Sequence, residues 1–199
     1  MEFYEAVHKR RSIRQFEDRP IARETIERIV EAGLAAPSSN HQRRWQLVVL
    51  TEKDRIVELS RHIRNMPRRF KEARSPQQEM MQISYPRQRS MVAEAACVIV
   101  PTFHCKYPIS EEGGGWGLND YGAAWALIEN MLLAATAEGL SSGVHIPVRK
   151  EPAEIHEFLG IPEPWRLPAL VVLGHPAAGA ETPRQVEVSV DKNVHWQTW

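Results

Sequence analysis

One long stretch, residues 121–138, limits the folds open to this chain more than any other part of it. Its apolar and small side chains recur at helical spacing and cover nearly the whole circumference of the predicted helix. A helix without a polar face needs other protein around it. We therefore expect this helix at the centre of the fold or at a subunit interface, with Gly139 forming a left-handed cap at its end.

The other elements point to a layered fold. Apolar residues at helical spacing predict helices over residues 2–9, 24–36 and 152–159. Short runs rich in β-branched residues predict buried strands over residues 46–51, 95–103 and 167–174. The order lacks the regular strand–helix rhythm of a doubly wound sheet, which favours an α+β fold. The chain of 199 residues is expected to form a single domain, residues 1–199.

Charge and composition argue against several classes of protein. Lys and Arg total 25, as do Asp and Glu, and this balance argues weakly against nucleic acid as the main partner. The charged N-terminus lacks the apolar core of a signal peptide, and no apolar run is long enough to cross a bilayer. Two cysteines make no disulfide framework. We expect a cytoplasmic protein with no membrane partner.

Residues 61–91, called the excursion below, differ in composition from the rest of the chain. Eight basic residues stand against two acidic ones, and the stretch contains four methionines with weak helical periodicity. A solvated basic surface is favoured over a ligand-contacting helical lid, and either would lie outside the core. Residues 110–117 contain three consecutive glycines and are expected to form a flexible loop.

Familiar catalytic motifs are missing from the sequence. It has no glycine-rich dinucleotide or nucleotide-phosphate loop, no hydrolase nucleophile motif and no zinc-protease motif. Its eight histidines are scattered, without metal-ligand spacing, so no metal is expected.

The first candidate site is the segment of residues 9–16, directly after the first predicted helix. It begins with four cations and one hydroxyl within six residues, and arginine donates paired hydrogen bonds to phosphate. In an extended segment Arg10, Ser12 and Arg14 would face one side and Arg11 the other. Taken alone, a cation cluster that complements the dipole at a helix end is favoured over a phosphate site.

Two further stretches could contact a ligand. Residues 36–45 form a polar loop before a strand and offer hydroxyl, amide and imidazole groups. Residues 139–147 form a predicted turn of small residues, whose backbone N–H groups could donate to a flat heteroaromatic ring. Each of these signals is weak by itself.

In their order and spacing, these stretches resemble the nitroreductase family. The residues R-R-S-I-R-x-F, followed by a proline, resemble its N-terminal signature, and A-P-S-S with Trp45 before a strand resembles its second block. Residues 122–124, 132–135 and 139–140 are similar to its third block. L-G-H-P at 173–176 and V-H-W at 194–196 resemble its last two. The resemblance spans nearly the whole chain and leaves out the excursion.

The resemblance implies a fold and an assembly. It implies an α+β sandwich in which helices flank a central mixed, mainly antiparallel sheet. It also implies an intertwined homodimer with two sites, each built from both chains. A terminal arm that wraps the partner would account for Trp196 and Trp199, and the long apolar helix would lie in the dimer core.

The resemblance also implies roles for residues near a bound FMN. Arg10 and Ser12 would hold the phosphate and ribityl chain, with Arg11 the least defined member of the segment. Arg14 would lie near the pyrimidine edge of the flavin, where a cation favours the reduced form. The remaining cofactor-binding residues implied by the resemblance are Pro37, Ser38, Ser39, Asn40 and His41 from the partner chain, and Gly143, His145, Ile146 and Lys192. Backbone around His145 and Ile146 would face flavin N5, and Ile146 is the expected donor because Pro147 has no N–H.

Two departures from the family pattern concern these roles. The second block of the family has an asparagine four residues before the tryptophan, where this chain has His41, while Asn40 and Gln42 lie one position early. Either the loop is shifted or the polar roles have moved. A late arginine that helps to bind the phosphate is also missing, so Lys192 or Arg184 must replace it, or the contact is absent.

The implied activity is an FMN-dependent oxidoreductase with NADH or NADPH as co-substrate. Electrons would pass by a ping-pong mechanism to a small aromatic acceptor such as a nitroaromatic or a quinone, or to an enone-like compound. Flavin N5 would do the chemistry, so no catalytic side chain is expected. The alternatives are a related enzyme that cleaves flavin or dehalogenates an aromatic substrate, and a non-catalytic nucleic-acid-binding module, which the neutral charge disfavours.

Overall fold

An antiparallel sheet organises the part of the chain that the computed structural model describes, residues 1–67, 70–107, 109, 115–182 and 184–199. The α-helices are α1 (Phe3–Lys9), α2 (Arg23–Leu34), α3 (Lys53–Ser60), α4 (Pro76–Ser84), α5 (Gln88–Glu94), α6 (Trp116–Ala137), α7 (Glu151–Leu159) and α8 (Val190–Asn193). The strands are β1 (Trp45–Leu50), β2 (Cys97–His104), β3 (Ser141–His145), β4 (Trp165–Arg166) and β5 (Leu170–Gly174). Single 3₁₀ turns cover Ser39–His41 and Tyr85–Arg87.

The strand order is β1-β2-β5-β3, with β4 beside the end of β2. Each of these strand pairs is antiparallel, with Val48 opposite Val100 and Ile99 opposite Val171. A parallel bridge joins Ser12 to Ser142 at the β3 edge. The predicted mainly antiparallel sheet is confirmed.

Helices cover both faces of the sheet, so its central strands are buried on both sides. Ile99 of β2 packs with Leu127 of α6 on one face, while its neighbour Val98 packs with Leu59 and Met91 on the other. This division follows from the alternation of side chains along a strand. Because both faces are covered, β2 and β5 read as uninterrupted apolar runs. The predicted α+β layered architecture is confirmed.

The long apolar helix lies at the centre of one layer, as predicted. Leu127, Ile128 and Met131 of α6 are fully buried, and the helix packs against α2 and the sheet. Gly139 ends it at a φ of 76°, in the predicted left-handed conformation. The helix begins at Trp116, so residues 116–117 of the expected loop are helical, whereas Ser110 and residues 111–114 lie outside the described residues.

The excursion was predicted to lie outside the core, and at both of its ends this is wrong. Near its start, Ile63 is 2% exposed and belongs to the same apolar cluster as Met91 near its end. The side chain of Met91 in α5 is fully buried, and the neighbouring Val92 packs with it in the same apolar cluster. The surrounding basic residues hid this short apolar face. Arg68 and Arg69 lie outside the described residues.

The prediction of a turn over residues 139–147 is also wrong. Ser141–His145 forms β3 and pairs with β5 along its whole length. Serine and glycine favour strands poorly, so pairing with a neighbouring strand decides this conformation. The sequence analysis also missed α3, β4 and α8, and β5 begins at Leu170 instead of residue 167.

No helix of the described residues is both long and apolar enough to cross a membrane.

Candidate functional site

The arginine segment lies against the edge of the sheet. It leaves α1 at Arg10, and the Ile13 N–H donates to the Ser142 carbonyl over 2.9 Å. Because the bridge between Ser12 and Ser142 is parallel, the arginine segment and β3 run in the same direction from this point. Arg14 therefore lies farther along β3 than Arg10, towards the turn that begins at Ile146.

Gly143 allows this close approach. A Cβ atom at position 143 would lie 2.8 Å from the Ile13 carbonyl oxygen and 2.8 Å from Met91 Sδ. Both distances are shorter than side-chain contacts allow, so only glycine fits without movement of the segment. Gly143 thus sets how near the arginines lie to the sheet.

A cavity of about 410 Å³ opens beside this segment. Arg10, Arg11, Ser12 and Arg184 supply its charged and hydroxyl groups. Its other lining residues come from α4 and the chain after Arg184: Pro76, Gln77, Met80, Met81, Gln185 and Val186. Small-molecule sites commonly combine such a volume with apolar walls and a few polar groups.

The cations of this region differ in their partners. Arg10 lies 3.4 Å from Glu129, and Arg184 makes a two-point contact with Glu79 at 2.6 and 3.1 Å. Arg11 donates to the carbonyls of His8 and Arg10 over 2.7 Å. Within the described part of the chain, Arg11 has no carboxylate within 4.0 Å.

Arg14 is a buried cation beside the cavity. Only 6% of it is exposed, and its guanidinium donates to the Ser12 carbonyl at 3.3 Å and Met80 Sδ at 3.4 Å. Its Nε has no hydrogen-bond partner, and no carboxylate of the described residues pairs with it. Burial lowers the pKa of Arg14, because a charge removed from water is destabilised. A buried cation with an unused donor is suited to an anionic or oxygen-rich ligand.

A second buried polar group lies behind β3. His145 Nδ1 is 2.8 Å from Gln88 Oε1, and His145 Nε2 is 3.0 Å from Glu151 Oε2. His145 and Glu151 are fully buried. Burial lowers the pKa of His145, while the Glu151 carboxylate acts in the opposite direction. The imidazole thus points into the core, whereas Ile146, 52% exposed, faces outward.

The polar loop of residues 36–45 lies at the start of β1. The Arg43 N–H donates to Ser38 Oγ over 2.9 Å, and the His104 N–H donates to the Arg44 carbonyl over 3.0 Å. Asn40, His41 and Arg43 have φ values of 50°, 52° and 45°, which are strained for residues other than glycine. The loop lines a different, small pocket in its own chain.

Comparison with known proteins identifies the family of the chain. The nitroreductase family matches residues 7–175. The chain belongs to this family. Nitroreductase family members are oxidoreductases, and this chain is such an enzyme.

Individual relatives cover most of the chain. An NADH dehydrogenase of Thermus thermophilus is 29% identical over 185 residues, which are 86% of this chain and 85% of that protein. An iodotyrosine deiodinase of Nematostella vectensis is 27% identical over 190 residues, 92% of this chain and 70% of that protein. The solved FMN-dependent nitroreductase of Clostridium difficile R20291 has 22% identity and a TM-score of 0.70, with 98% of each chain covered.

The structure brings together only some of the residues that the nitroreductase resemblance implied. Arg10, Arg11 and Ser12 line one cavity, with Arg14 adjacent through Met80. Arg11 was predicted to face away from Arg10 and Ser12, and the structure bears this out only in part: Arg11 lines their cavity and also a second cavity with Lys9 and Ile13. The chain is still leaving α1 at this point, and Arg11 folds back onto the His8 carbonyl.

Other implied residues lie apart from the cavity in the single chain. The other residues that do not line it are Pro37, Ser38, Ser39, Asn40 and His41 in the β1 loop, Gly143 and His145 in β3, Ile146 directly after β3, and Lys192 in α8. Lys192 lies 3.9 Å from Glu187, whereas Arg184 lines the cavity. Of the two late cations considered from the sequence, the structure therefore favours Arg184.

The sequence analysis missed Gln88 and Glu151. Glu151 stands at the first position of α7, where an acidic residue signals a helix start and nothing more. Gln88 lies in the excursion among basic residues. Their contact with His145 depends on the fold, so no local pattern reveals it.

Proposed function

We propose that this nitroreductase family member is an FMN-dependent oxidoreductase that passes electrons from NADH or NADPH to a small aromatic acceptor. One observation carries the proposal: Arg10, Arg11, Ser12 and Arg184 surround a cavity beside the buried cation Arg14. Arg11 and Arg14 have no carboxylate partner among the described residues, and an anionic ligand would compensate their charges.

The residues present fit FMN in both charge and order. Arg10, Arg11 and Ser12 would hold the phosphate, because guanidinium and hydroxyl groups match phosphate oxygens. Arg14 follows Ser12 by two residues, which is about 7 Å of extended chain, and so lies farther along β3. At that place it would lie near the flavin ring. Its unused Nε supports a contact with a ligand oxygen at that place.

Bound FMN would supply the two-electron redox chemistry, and the protein would position and tune it. Arg14 would stabilise negative charge that develops on reduction, because its own charge is poorly screened. Met80 and Met81 would cover the site and exclude water. NAD(P)H and the acceptor would use the same face in turn, which is a ping-pong scheme.

We also propose that the functional unit is a homodimer. Val186, Val188 and Val190 are exposed and alternate along the tail, and Trp199 is fully exposed. Exposed apolar groups at this density mark an interaction surface. A partner chain would cover them and would bring its β1 loop to the cavity, from which that loop is distant in the single chain.

Spectroscopy and steady-state turnover test the proposed function. Purified protein is expected to be yellow, to retain FMN and to oxidise NADH or NADPH with a quinone or a nitroarene. The double variant Arg10→Met and Ser12→Ala should bind FMN about 10- to 100-fold more weakly, because charge-assisted hydrogen bonds are lost. The control Arg23→Met removes an exposed arginine that pairs with Glu27 and should bind FMN normally. Colourless protein that does not retain added FMN would overturn the proposal.

Reductive dehalogenation of an aromatic substrate is a second candidate. It is favoured by the relationship to iodotyrosine deiodinase, which covers 92% of this chain. Iodide release from iodotyrosine by the reduced protein would support it. Steady NAD(P)H oxidation with a quinone, without iodide release from iodotyrosine, would favour the first candidate. FMN that stays intact over many turnovers would exclude flavin cleavage.

A further inference from the structure

Both ends of the excursion are hydrogen-bonded to one buried pair of side chains, His145 and Glu151. Near its start, the Arg64 N–H donates to Glu151 Oε1 over 2.8 Å. Near its end, Gln88 lies 2.8 Å from His145 Nδ1. Since His145 and Glu151 are in contact, the excursion leaves and rejoins the core through a single polar network.

The same pair closes the turn that follows β3. The Val148 N–H donates to Glu151 Oε2 over 2.9 Å, and the Glu151 N–H donates to the Val148 carbonyl over 3.1 Å. Residues 146–150, called the β3 turn below, therefore cannot shift without a change at Glu151. Ile146, the residue proposed to face the flavin, opens this turn.

The protons in this network follow from its partners. Gln88 Nε2 donates to the Ser84 carbonyl over 2.7 Å, so Gln88 Oε1 is an acceptor and His145 Nδ1 donates to it. Glu151 Oε2 also faces a ring nitrogen, so a proton lies between it and His145 Nε2. Each polar side-chain atom of the pair is thus used, which fixes its geometry.

Stability alone does not account for such a pair. A buried ionisable pair gains little over apolar side chains of the same size, because both groups are taken out of water. The neighbouring core residues Met91, Ile155 and Leu170 are apolar and fill this layer without polar partners. A role in positioning explains why a polar network lies here.

Resting on the proposed function, we propose that Gln88, His145 and Glu151 are positioning residues that couple the excursion to the β3 turn. The excursion carries Met80 and Met81, which line the cavity. The β3 turn begins at Ile146, whose backbone the family resemblance implies to face the flavin. A shift of the excursion when an acceptor binds would thereby be transmitted to the cofactor contact.

The first test compares two Glu-to-Gln changes on the same helix, α7. In Glu151→Gln one oxygen becomes an NH₂ group, so the side chain can no longer accept from both the Arg64 and Val148 N–H groups. Amide hydrogen exchange of the FMN-free protein should accelerate about tenfold at one or both of these sites. The control Glu154→Gln removes an exposed contact with the Arg64 side chain and should leave both amides unchanged.

The second test examines transmission through the network. Gln88→Leu removes the contact with His145 Nδ1, and Gln88 lies on α5, away from the β3 turn. Exchange at the Val148 amide should still accelerate several-fold. In the FMN-loaded enzyme, Gln88→Leu and Glu151→Gln should lower kcat about tenfold while FMN stays bound, and Glu154→Gln should not.

Unchanged exchange at Val148 in Gln88→Leu would overturn the coupling. Equal behaviour of Glu151→Gln and Glu154→Gln would overturn the positioning role. The exchange experiments use protein without FMN, so their outcome is independent of whether the proposed function holds. If Glu151→Gln fails to fold, Gln88→Leu alone decides the question.

Discussion

Arg14 is a buried cation that pairs with no carboxylate of the described residues. In the sequence it is one of several cations in a row, any of which could be a solvated helix-end charge. In the structure it is buried, its Nε has no partner, and its guanidinium lies on Met80 Sδ. A buried and unpaired charge lowers the stability of the protein that carries it, so a ligand is the natural compensation.

Replacement of Arg14 by methionine should therefore change stability and binding in opposite directions. Without FMN, Arg14→Met is expected to raise the free energy of unfolding by about 1–2 kcal/mol, because an uncompensated buried charge is removed. FMN affinity should fall about tenfold or more. Urea unfolding of the FMN-free protein and fluorescence titration with FMN measure the two effects.

Arg19→Met is the matched control, because Arg19 is exposed in the same N-terminal region. It should leave both quantities nearly unchanged. Loss of stability in FMN-free Arg14→Met would show that the cation is satisfied within the protein and is no ligand group.

At this scale the sequence pointed to three residues that line the cavity, Arg10, Arg11 and Ser12, but not to their surroundings. Arg10 and Ser12 could be paired from their spacing along an extended segment, and the structure places both on one cavity. Arg11 follows the alternation only in part, because its guanidinium folds back onto the His8 carbonyl and lies between two cavities. The contacts between Glu151 and Arg64 and between His145 and Gln88 join residues far apart in the sequence, and such contacts have no local signature.

Among the elements, β3 was the hardest to predict. Its residues Ser141, Ser142 and Gly143 favour turns, yet pairing with β5 makes them a strand. The strand is also what brings the arginine segment to the cavity, through the bridge between Ser12 and Ser142. The apolar strands β1, β2 and β5 were recognisable because they are buried and rich in β-branched residues.

Gly143→Ala should disturb β3 and the arginine segment together. The added methyl group would lie 2.8 Å from the Ile13 carbonyl oxygen, a backbone atom that cannot move by side-chain rotation. We expect a loss of about 1–3 kcal/mol in the free energy of unfolding, together with weaker FMN binding. Thermal unfolding and FMN titration test both effects.

Gly122→Ala is the control in which the added methyl group meets no neighbouring atom. Gly122 lies on the exposed side of α6, and nothing lies within 4 Å of the position of its Cβ. Alanine there should stabilise the helix by about 0.5–1 kcal/mol. A stable Gly143→Ala protein that binds FMN normally would contradict the close approach described for the segment.

For the whole molecule, the layered α+β fold could be predicted from the sequence, whereas the homodimer remains a proposal. Irregular alternation of helices and strands indicated an α+β sandwich, and the fully buried face of α6 confirms the central helix. The tail of residues 186–199 is different, because its apolar side chains find no core in their own chain. Val188 is 73% exposed.

The proposed homodimer can be tested with one substitution in this tail. Val188→Asp places a charge on a side chain that the single chain leaves exposed, so monomer stability should change by less than about 0.5 kcal/mol. Burial of that charge in an interface would raise the dimer dissociation constant about tenfold or more. Light scattering over a dilution series measures this constant.

Glu187→Gln, in the same segment, should leave the dimer intact. Two results would contradict the assembly: a wild-type protein that is monomeric at high micromolar concentration with FMN bound, or a Val188→Asp protein that dimerises like the wild type.

The ion pair between Glu79 and Arg184 means that FMN binding at Arg184 requires the displacement of a carboxylate. Arg184 already has an anion at its guanidinium, so a phosphate that takes this arginine performs an ion exchange. The net attraction of the cavity mouth for an anion is then smaller than its number of arginines suggests. The displaced carboxylate belongs to α4, and the Arg87–Glu181 pair, just after this helix, would still join the excursion to the segment that precedes the tail. Binding of the phosphate in the cavity would thus also loosen α4, the helix that covers it.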